Sequence, residues 1–421
     1  MFDTIAEGIS FLQAQSLLGL LTLFWFVIIF EIPRYMLSFL PAALLYRVRN
    51  ISSSSAHKAG KISVVIAGHN EEKSIEACVR SLWEQSLKPD EIVVVSDGST
   101  DKMLETLSRM LKQKLIHRVH GTELRAGKSA ATNLAERLSS GDIIVNVDCD
   151  CSFGRQALKE IVAPFLDKEV GAVSGNIYVR NARKSLVTTF QAIEYLISIS
   201  LGKRSLDLMG QVTCASGAFS AFRRTALVGV GGLDAGGGED LDVTLRLRRA
   251  GWKIRFATNA ICYTDAPDSL TALTKQRFRW ERDAVRLRYR KHVGFINPFS
   301  PLFRPKELFH EFEFLLFNVI GAIALPVYIV WLFVSFGEFA LAILIGTQIA
   351  LTMLDFIVFL LAASANPKAQ TGRLIPFVLI YSFFNGVLMR FLRLTAYLQE
   401  WLFDASYKDS YVPTKVHMER V

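Results

Sequence analysis

The chain has 421 residues, 51% of them hydrophobic, and a net charge of +9 at pH 7. That length calls for two or three domains, and the apolar residues crowd into runs of membrane-crossing length, which excludes a wholly soluble protein. The five cysteines, Cys78, Cys149, Cys151, Cys214 and Cys262, lack the paired spacing of a zinc-thiolate module.

The first apolar run, 8–30, is near the ~20 residues a helix needs to cross a bilayer. The segment before it, MFDTIAEG, is acidic and no small-x-small site follows, so the run reads as a retained anchor. Arg34, Arg47, Arg49, Lys58 and Lys61 come next, and the positive-inside rule places the following domain in the cytoplasm.

From about residue 63 to 260 strands and helices alternate. "ISVVIA" (62–67) reads as a buried strand, and Ile75, Cys78, Val79, Leu82 and Trp83 then recur at helical spacing. "EIVVVS" (91–96), "KLIHRV" and "DIIVNV" (142–147) are the next strands, with helical patterns between them. The alternation predicts an α/β fold with a doubly wound, mostly parallel sheet.

Each strand runs into a polar loop: "GHNEE" (68–72), "DGSTD" (97–101), "GTELRAGKS" (121–129) and "DCD" (148–150). Such sheets bind ligands at the carboxyl ends of their strands, so the four loops together predict a nucleotide crevice. The third loop resembles a P-loop but leaves five residues, not four, between Gly121 and Gly127, and so is not one. Lys128 and the amides at its helix start still suit a diphosphate. Asp148 and Asp150, one residue apart after a strand, suit Mg²⁺ or Mn²⁺ shared with phosphate oxygens.

"GGGEDLDVTLRLRRAG" (236–251) puts Asp240, beside Glu239, at a helix start, a good place for a general base acting on a hydroxyl. "KQRFRWERDAVRLRYRKH" (275–292) is strongly basic, which suits an anionic membrane surface and not nucleic acid. Within it Gln276, Arg279 and Trp280 fall on one helix face. Three further apolar runs follow, 312–335, 339–363 and 374–389, the last extending through Arg390 and Arg393 toward Leu402. One span before the domain and three after put the tail outside. Arg390, Arg393, Lys408, Lys415 and Arg420 oppose that placement, so either the last segment only dips into the membrane or the count differs.

"HNEE", "SDGSTD", "AGKSAATN", "DCD", "SGAFSAFRR", "GEDLDVTLRL" and "QRFRW" occur here in the order seen in processive family 2 glycosyltransferases. The chain resembles the synthases of hyaluronan, chitin, cellulose and poly-β-1,6-N-acetylglucosamine over roughly residues 60–290. The resemblance implies a GT-A-like domain embedded between transmembrane helices, and an inverting β-glycosyltransferase that polymerises a UDP-sugar (UDP-N-acetylglucosamine or UDP-glucose) and exports the polysaccharide. It implies that Asn70, Glu71, Asp97, Lys128, Asp148 and Arg279 hold the nucleotide sugar and that Asp148 and Asp150 hold Mg²⁺ or Mn²⁺. Asp240, with Glu239, is then catalytic, while Ser216, Gly217, Gln276 and Trp280 meet the acceptor.

The expected division is a membrane anchor and interfacial segment (1–50), the transferase domain (60–275), interfacial helices (276–310), C-terminal transmembrane helices (311–403) and a tail (404–421). The expected partners are donor, growing polysaccharide, lipid bilayer and a small accessory membrane subunit, in a multi-pass cell (inner) membrane protein. Many relatives have a small residue after the tryptophan, where this chain has Glu281 and Arg282, and two N-terminal spans in place of one. One alternative is a non-processive transferase with a lipid-linked acceptor. The other is a nucleotide-regulated transporter built around Asp355, unless that residue pairs with Arg390 or Arg393.

Overall fold

The computed structural model describes residues 2–46, 57–234, 236–367, 369 and 371–408. Arg47, Arg49, Lys368, Lys415 and Arg420, and the tail past residue 408, lie outside the described residues.

Eight strands form one sheet: β1 (Ile62–Gly68), β2 (Glu91–Asp97), β3 (Arg118–Thr122), β4 (Ile143–Asp148), β5 (Ser152–Phe153), β6 (Val170–Val179), β7 (Phe219–Arg223) and β8 (Lys253–Thr264). Their order is β3-β2-β1-β4-β7-β6-β8-β5. β3, β2, β1 and β4 run parallel, as the β-branched runs predict for strands covered on both faces. Val64, Ile66, Ile92 and Val94 face one layer with Ile75, Val79, Leu82 and Leu107. Their alternates Val65, Val93 and Val95 face Ala131 and Ala135 on the other side. β7 then enters antiparallel to both β4 and β6, so the second half of the sheet is mixed. The third strand begins later than "KLIHRV" suggests, because Leu115 and Ile116 end the preceding turn and pairing with β2 starts at Arg118.

Among the described residues three helical stretches are long and apolar enough to cross a membrane: Val27–Leu45, Leu308–Ala365 and Thr371–Phe403. The second, of 58 residues, would reach about 87 Å as one helix, far beyond the ~30 Å hydrocarbon core. It turns at Gly337 (φ 55), which divides it into the arms Gly321–Phe336 and Ala340–Ala365. The Tyr328 hydroxyl ties the arms together, lying 2.9 Å from Thr347 Oγ1 and donating to the Leu23 carbonyl at 2.8 Å.

The N-terminal run 8–30 is not one span. Ser16 caps a new helix by accepting from the Gly19 amide (3.1 Å), which separates it from the helix Phe2–Gln13. That short helix lies against Ala340–Ala365 so closely that a Cβ on Gly8 would sit 2.3 Å from the Ala342 Cβ.

Asp355 does not pair with Arg390 or Arg393, as a reading of the last run alone suggests. Its carboxylate accepts from the Tyr35 hydroxyl, while Arg390 pairs with Glu31. Arg393 pairs with Glu281 at 3.1 Å, and the Tyr397 hydroxyl donates to the same carboxylate at 2.6 Å. Glu281 therefore clamps the helix Leu270–Arg286 onto the last helix, which gives its unusual identity a structural reason.

Removing one partner of this half-buried pair strands the other charge, at a cost below the roughly 3–5 kcal/mol typical of a fully buried pair. Glu281→Ala is expected to lower the thermal midpoint of the detergent-solubilised protein, and Glu281→Ala with Arg393→Ala to cost less than the sum of the two. An unchanged midpoint would remove the clamp.

Candidate active site

β1, β2 and β4 end at one edge of the sheet, and their loops enclose a cleft of ≈ 260 Å³. Glu71, Asp97, Lys128, Asp148 and Asp150 line it, joined by His69 and Arg125, which lie in the first and third of the polar loops but carry no role in the sequence reading. Backbone geometry brings the loops this close. A Cβ on Gly98 (φ 60) would fall 2.5 Å from the Arg125 amide nitrogen, so only glycine lets the second and third loops touch.

The helix-start amides expected to meet a diphosphate already have an anion. Ala126 N–H and Gly127 N–H donate to the two Asp97 oxygens at 2.7 and 2.8 Å. Asn70 (φ 59) does not turn its carboxamide to the cleft, because Oδ1 accepts from the Thr100 amide (2.8 Å) and the Asp101 amide (3.3 Å). It staples the first loop to the second.

Lys128 starts the helix Lys128–Leu138, and its Nζ folds back to Asp148 (2.6 Å) and Glu239 (3.7 Å). That ammonium joins the nucleotide cleft to the helix Glu239–Arg249. Gly238, in left-handed backbone (φ 70), precedes this helix and packs under Asp283 and Leu287. The Asp240 carboxylate accepts from Gly217 N–H (3.1 Å) and Leu241 N–H (2.8 Å), which sets its direction. Burial pushes the Glu239 carboxyl up to about 7, with Lys128 opposing and Asp240 adding to the rise. Gly217 thus lies beside both acids.

Gln276, Arg279 and Trp280 share the helix Leu270–Arg286, which starts before residue 276. Among the described residues the buried Gln276 Oε1 has no hydrogen-bond partner. Trp280 is 39% exposed, with the Arg277 guanidinium 4.6 Å from its ring centre and Arg277 itself paired to Glu194 at 2.7 Å. The indole face is presented and braced. The same helix reaches the catalytic one through Asp283, whose partner Arg286 also donates to the Gly237 carbonyl at 2.8 Å.

Among the described residues no cluster of three His, Cys, Asp or Glu side chains is set to hold a metal. The donors present are Asp148 and Asp150. Burial, and then the Asp148 charge, raise the Asp150 carboxyl, and burial raises Glu71, with Asp150 and Asp148 adding. A cation relieves that repulsion, and two carboxylates with room for phosphate oxygens and water suit Mg²⁺ or Mn²⁺. Arg180, which the sequence reading passed over, fixes the turn by donating to the Asp150 carbonyl at 2.8 Å while paired with Asp265.

Residues 59–282, just over half the chain, match the family model described as glycosyltransferase like family 2. A poly-β-1,6-N-acetyl-D-glucosamine synthase of Staphylococcus aureus (strain COL) is 32% identical over 221 residues, 52% of this chain and 53% of that one. The match thus spans about half the length of that relative. The synthase of the same name from Staphylococcus epidermidis is 29% identical over 291 residues, 68% of each chain. Among solved structures, a mannosyltransferase from Pyrobaculum calidifontis in complex with GDP-Man and Mn²⁺ superimposes with a TM-score of 0.56 at 21% identity. It covers 82% of this chain and 99% of its own, which supports a shared GT-A-like fold. Matched family, strand-end carboxylates and sheet order agree: this chain is a member of glycosyltransferase family 2.

Proposed function

We propose that the protein is a membrane-embedded inverting β-glycosyltransferase that extends and exports a polysaccharide from a UDP-sugar, with UDP-N-acetylglucosamine the first donor to test. One observation carries the reading: Lys128 touches Asp148 of the nucleotide cleft and Glu239 beside Asp240, so donor and acceptor chemistry meet within one side chain's reach.

Mg²⁺ or Mn²⁺ on Asp148 and Asp150 supplies charge neutralisation for the diphosphate. Asp97 and Glu71 flank the nucleoside, and Lys128 exchanges carboxylate contacts for phosphate oxygens. Asp240 takes the proton of the acceptor hydroxyl, whose oxygen attacks the anomeric carbon opposite the diphosphate. The new C–O bond forms as the bond from that carbon to the phosphate oxygen breaks, which inverts an α-linked donor to a β-linkage. Arg279 stabilises the departing diphosphate, and Trp280 stacks on the acceptor sugar. Gln276 Oε1 accepts from a sugar hydroxyl, which answers its unpaired state in the structure.

The helix ends support a membrane topology. Tyr46, after Val27–Leu45, donates to Asp207 of the α/β unit at 3.0 Å. Asn366, after Ala340–Ala365, accepts from Tyr178 of that unit at 3.0 Å. Thr371 and Arg373 border a cavity shared with Tyr263, and Asp404 at the other end of that helical stretch pairs with Arg290. Both ends of Thr371–Phe403 thus stand on the catalytic side, so this stretch dips in without crossing. The crossings are then one before the α/β unit and two after, and the basic tail stays with the catalytic unit in the cytoplasm. A polar chain leaving the acceptor site needs a path enclosed by these helices, since hydrocarbon does not admit it.

In sealed vesicles with donor outside and the catalytic face outward, polymer is expected in the lumen, protected from added glycosidase. Polymer wholly open to the enzyme would favour single transfer to a lipid-linked acceptor. Asp240→Asn keeps the side chain's shape and removes its basicity. It is expected to lower transfer by about 10²–10⁴-fold with UDP binding kept, and a near-wild-type rate would reduce Asp240 to a helix cap. In the same vesicles a protease should clip an epitope placed after Val421. A protected epitope would mean that the last helix crosses.

A further inference from the structure

The helix Gly202–Leu208 carries three charged side chains that leave it in different directions. Arg204 donates to the Ala365 carbonyl (2.6 Å) and to Asn366 Oδ1 (2.8 Å), at the end of the membrane helix Ala340–Ala365. The Asp207 carboxylate accepts from Arg255 Nε (2.8 Å) and from the Phe256 amide (3.0 Å), on β8. Held on both sides, the helix aims Lys203 at the catalytic turn. Its Nζ donates to Ser174 Oγ of β6 at 2.8 Å and to Ser216 Oγ.

An ammonium out of water is costly unless its donors are met. Here, among the described residues, no carboxylate lies within ion-pair distance of Lys203, and the serine hydroxyls take its protons. Lysine has no acceptor, so both serine oxygens must accept. Burial draws the lysine below its usual pKa, while Cys214 and Asp240 pull the other way. The next residue, Gly217, donates its N–H to Asp240 Oδ2, and a Cβ built on it would stand 3.0 Å from Lys128 Nζ. A shift in this turn therefore moves the groups around Asp240 and the floor of the acceptor site together.

We propose that Lys203 is a positioning residue for the transfer step, holding the Ser216-Gly217 turn so that Gly217 N–H orients the Asp240 carboxylate toward the acceptor hydroxyl. The proposal rests on the transferase reading above. It places the lysine behind the reacting groups, in touch with neither donor nor acceptor, and it routes the seat of the membrane helix through Arg204 to the catalytic turn.

Lys203→Met keeps the length of the side chain and deletes its donors. With purified full-length protein and UDP-sugar, kcat is expected to fall by about 10²-fold, the loss that follows when reacting groups are misplaced by about 1 Å. The donor KM and the UDP dissociation constant should stay within about twofold of wild type. Ser216→Ala cuts the same link from the other side. The double variant should fall short of the product of the two single losses, because they share the Lys203–Ser216 contact. Should Lys203→Met fail to fold, Ser216→Ala carries the same expected split between kcat and donor KM. Unchanged kcat in a folded variant overturns the positioning role alone, as does a loss of UDP affinity in step with kcat, which marks a structural defect. Wild-type protein that binds UDP but moves no sugar to any acceptor overturns the transferase reading, and the positioning role with it.

Discussion

Like charges confined at one sheet edge set the terms for the rest of this molecule. Glu71, Asp97, Asp148, Asp150, Glu239 and Asp240 lie around one crevice, where their mutual repulsion opposes folding. Two devices hold them. Backbone amides meet Asp97 and Asp240, and the Lys128 ammonium sits between Asp148 and Glu239. Burial, with this repulsion adding, keeps the carboxyls of Asp150, Glu71 and Glu239 raised. A site in that condition favours a ligand with cations of its own, such as a metal-bound diphosphate, and Lys128 then has phosphate oxygens to turn to.

The α/β unit is also built into its membrane helices by charge. Arg248, on the catalytic helix, pairs with Glu307 at 2.7 Å, and Arg288 pairs with Glu311 at 2.6 Å. His310 lies between them. Its Nδ1 lies 3.1 Å from the Arg288 guanidinium and 3.2 Å from Glu311 Oε1, and its Nε2 lies 3.1 Å from Glu307 Oε2. The start of the stretch Leu308–Ala365 is thereby fixed to the helix that carries Asp240. Together with the Glu281 clamp and the Arg204 contact, it leaves the catalytic helix few independent movements relative to the bundle.

What the sequence made legible was local. Buried β-branched strands, the loops after them and the Asp148/Asp150 pair follow from patterns a few residues long, and the structure gathers Glu71, Asp97, Lys128, Asp148 and Asp150 as expected. The errors lie where a partner is remote. Asn70 reads as a ligand residue until the Thr100 amide claims its carboxamide, and Asp355 lacks a mate until Tyr35 arrives from 320 residues away. Run 8–30 counts as a span by hydropathy, yet one hydroxyl at Ser16 is enough to start a separate helix inside it. Lys203 is invisible in the sequence because nothing in "LGKRSLD" tells which of its polar side chains turns inward.

The pairing of Glu31 with Arg390 has a temporal side. The two residues are 359 positions apart. At roughly 5–20 residues per second of synthesis, the glutamate waits about 20–70 s for its arginine to be made. Throughout that interval the stretch Val27–Leu45 carries Glu31 without its Arg390 partner, and the intervening α/β unit is made and has time to fold while the bundle is open. Closure comes last, when the two ends of the chain meet.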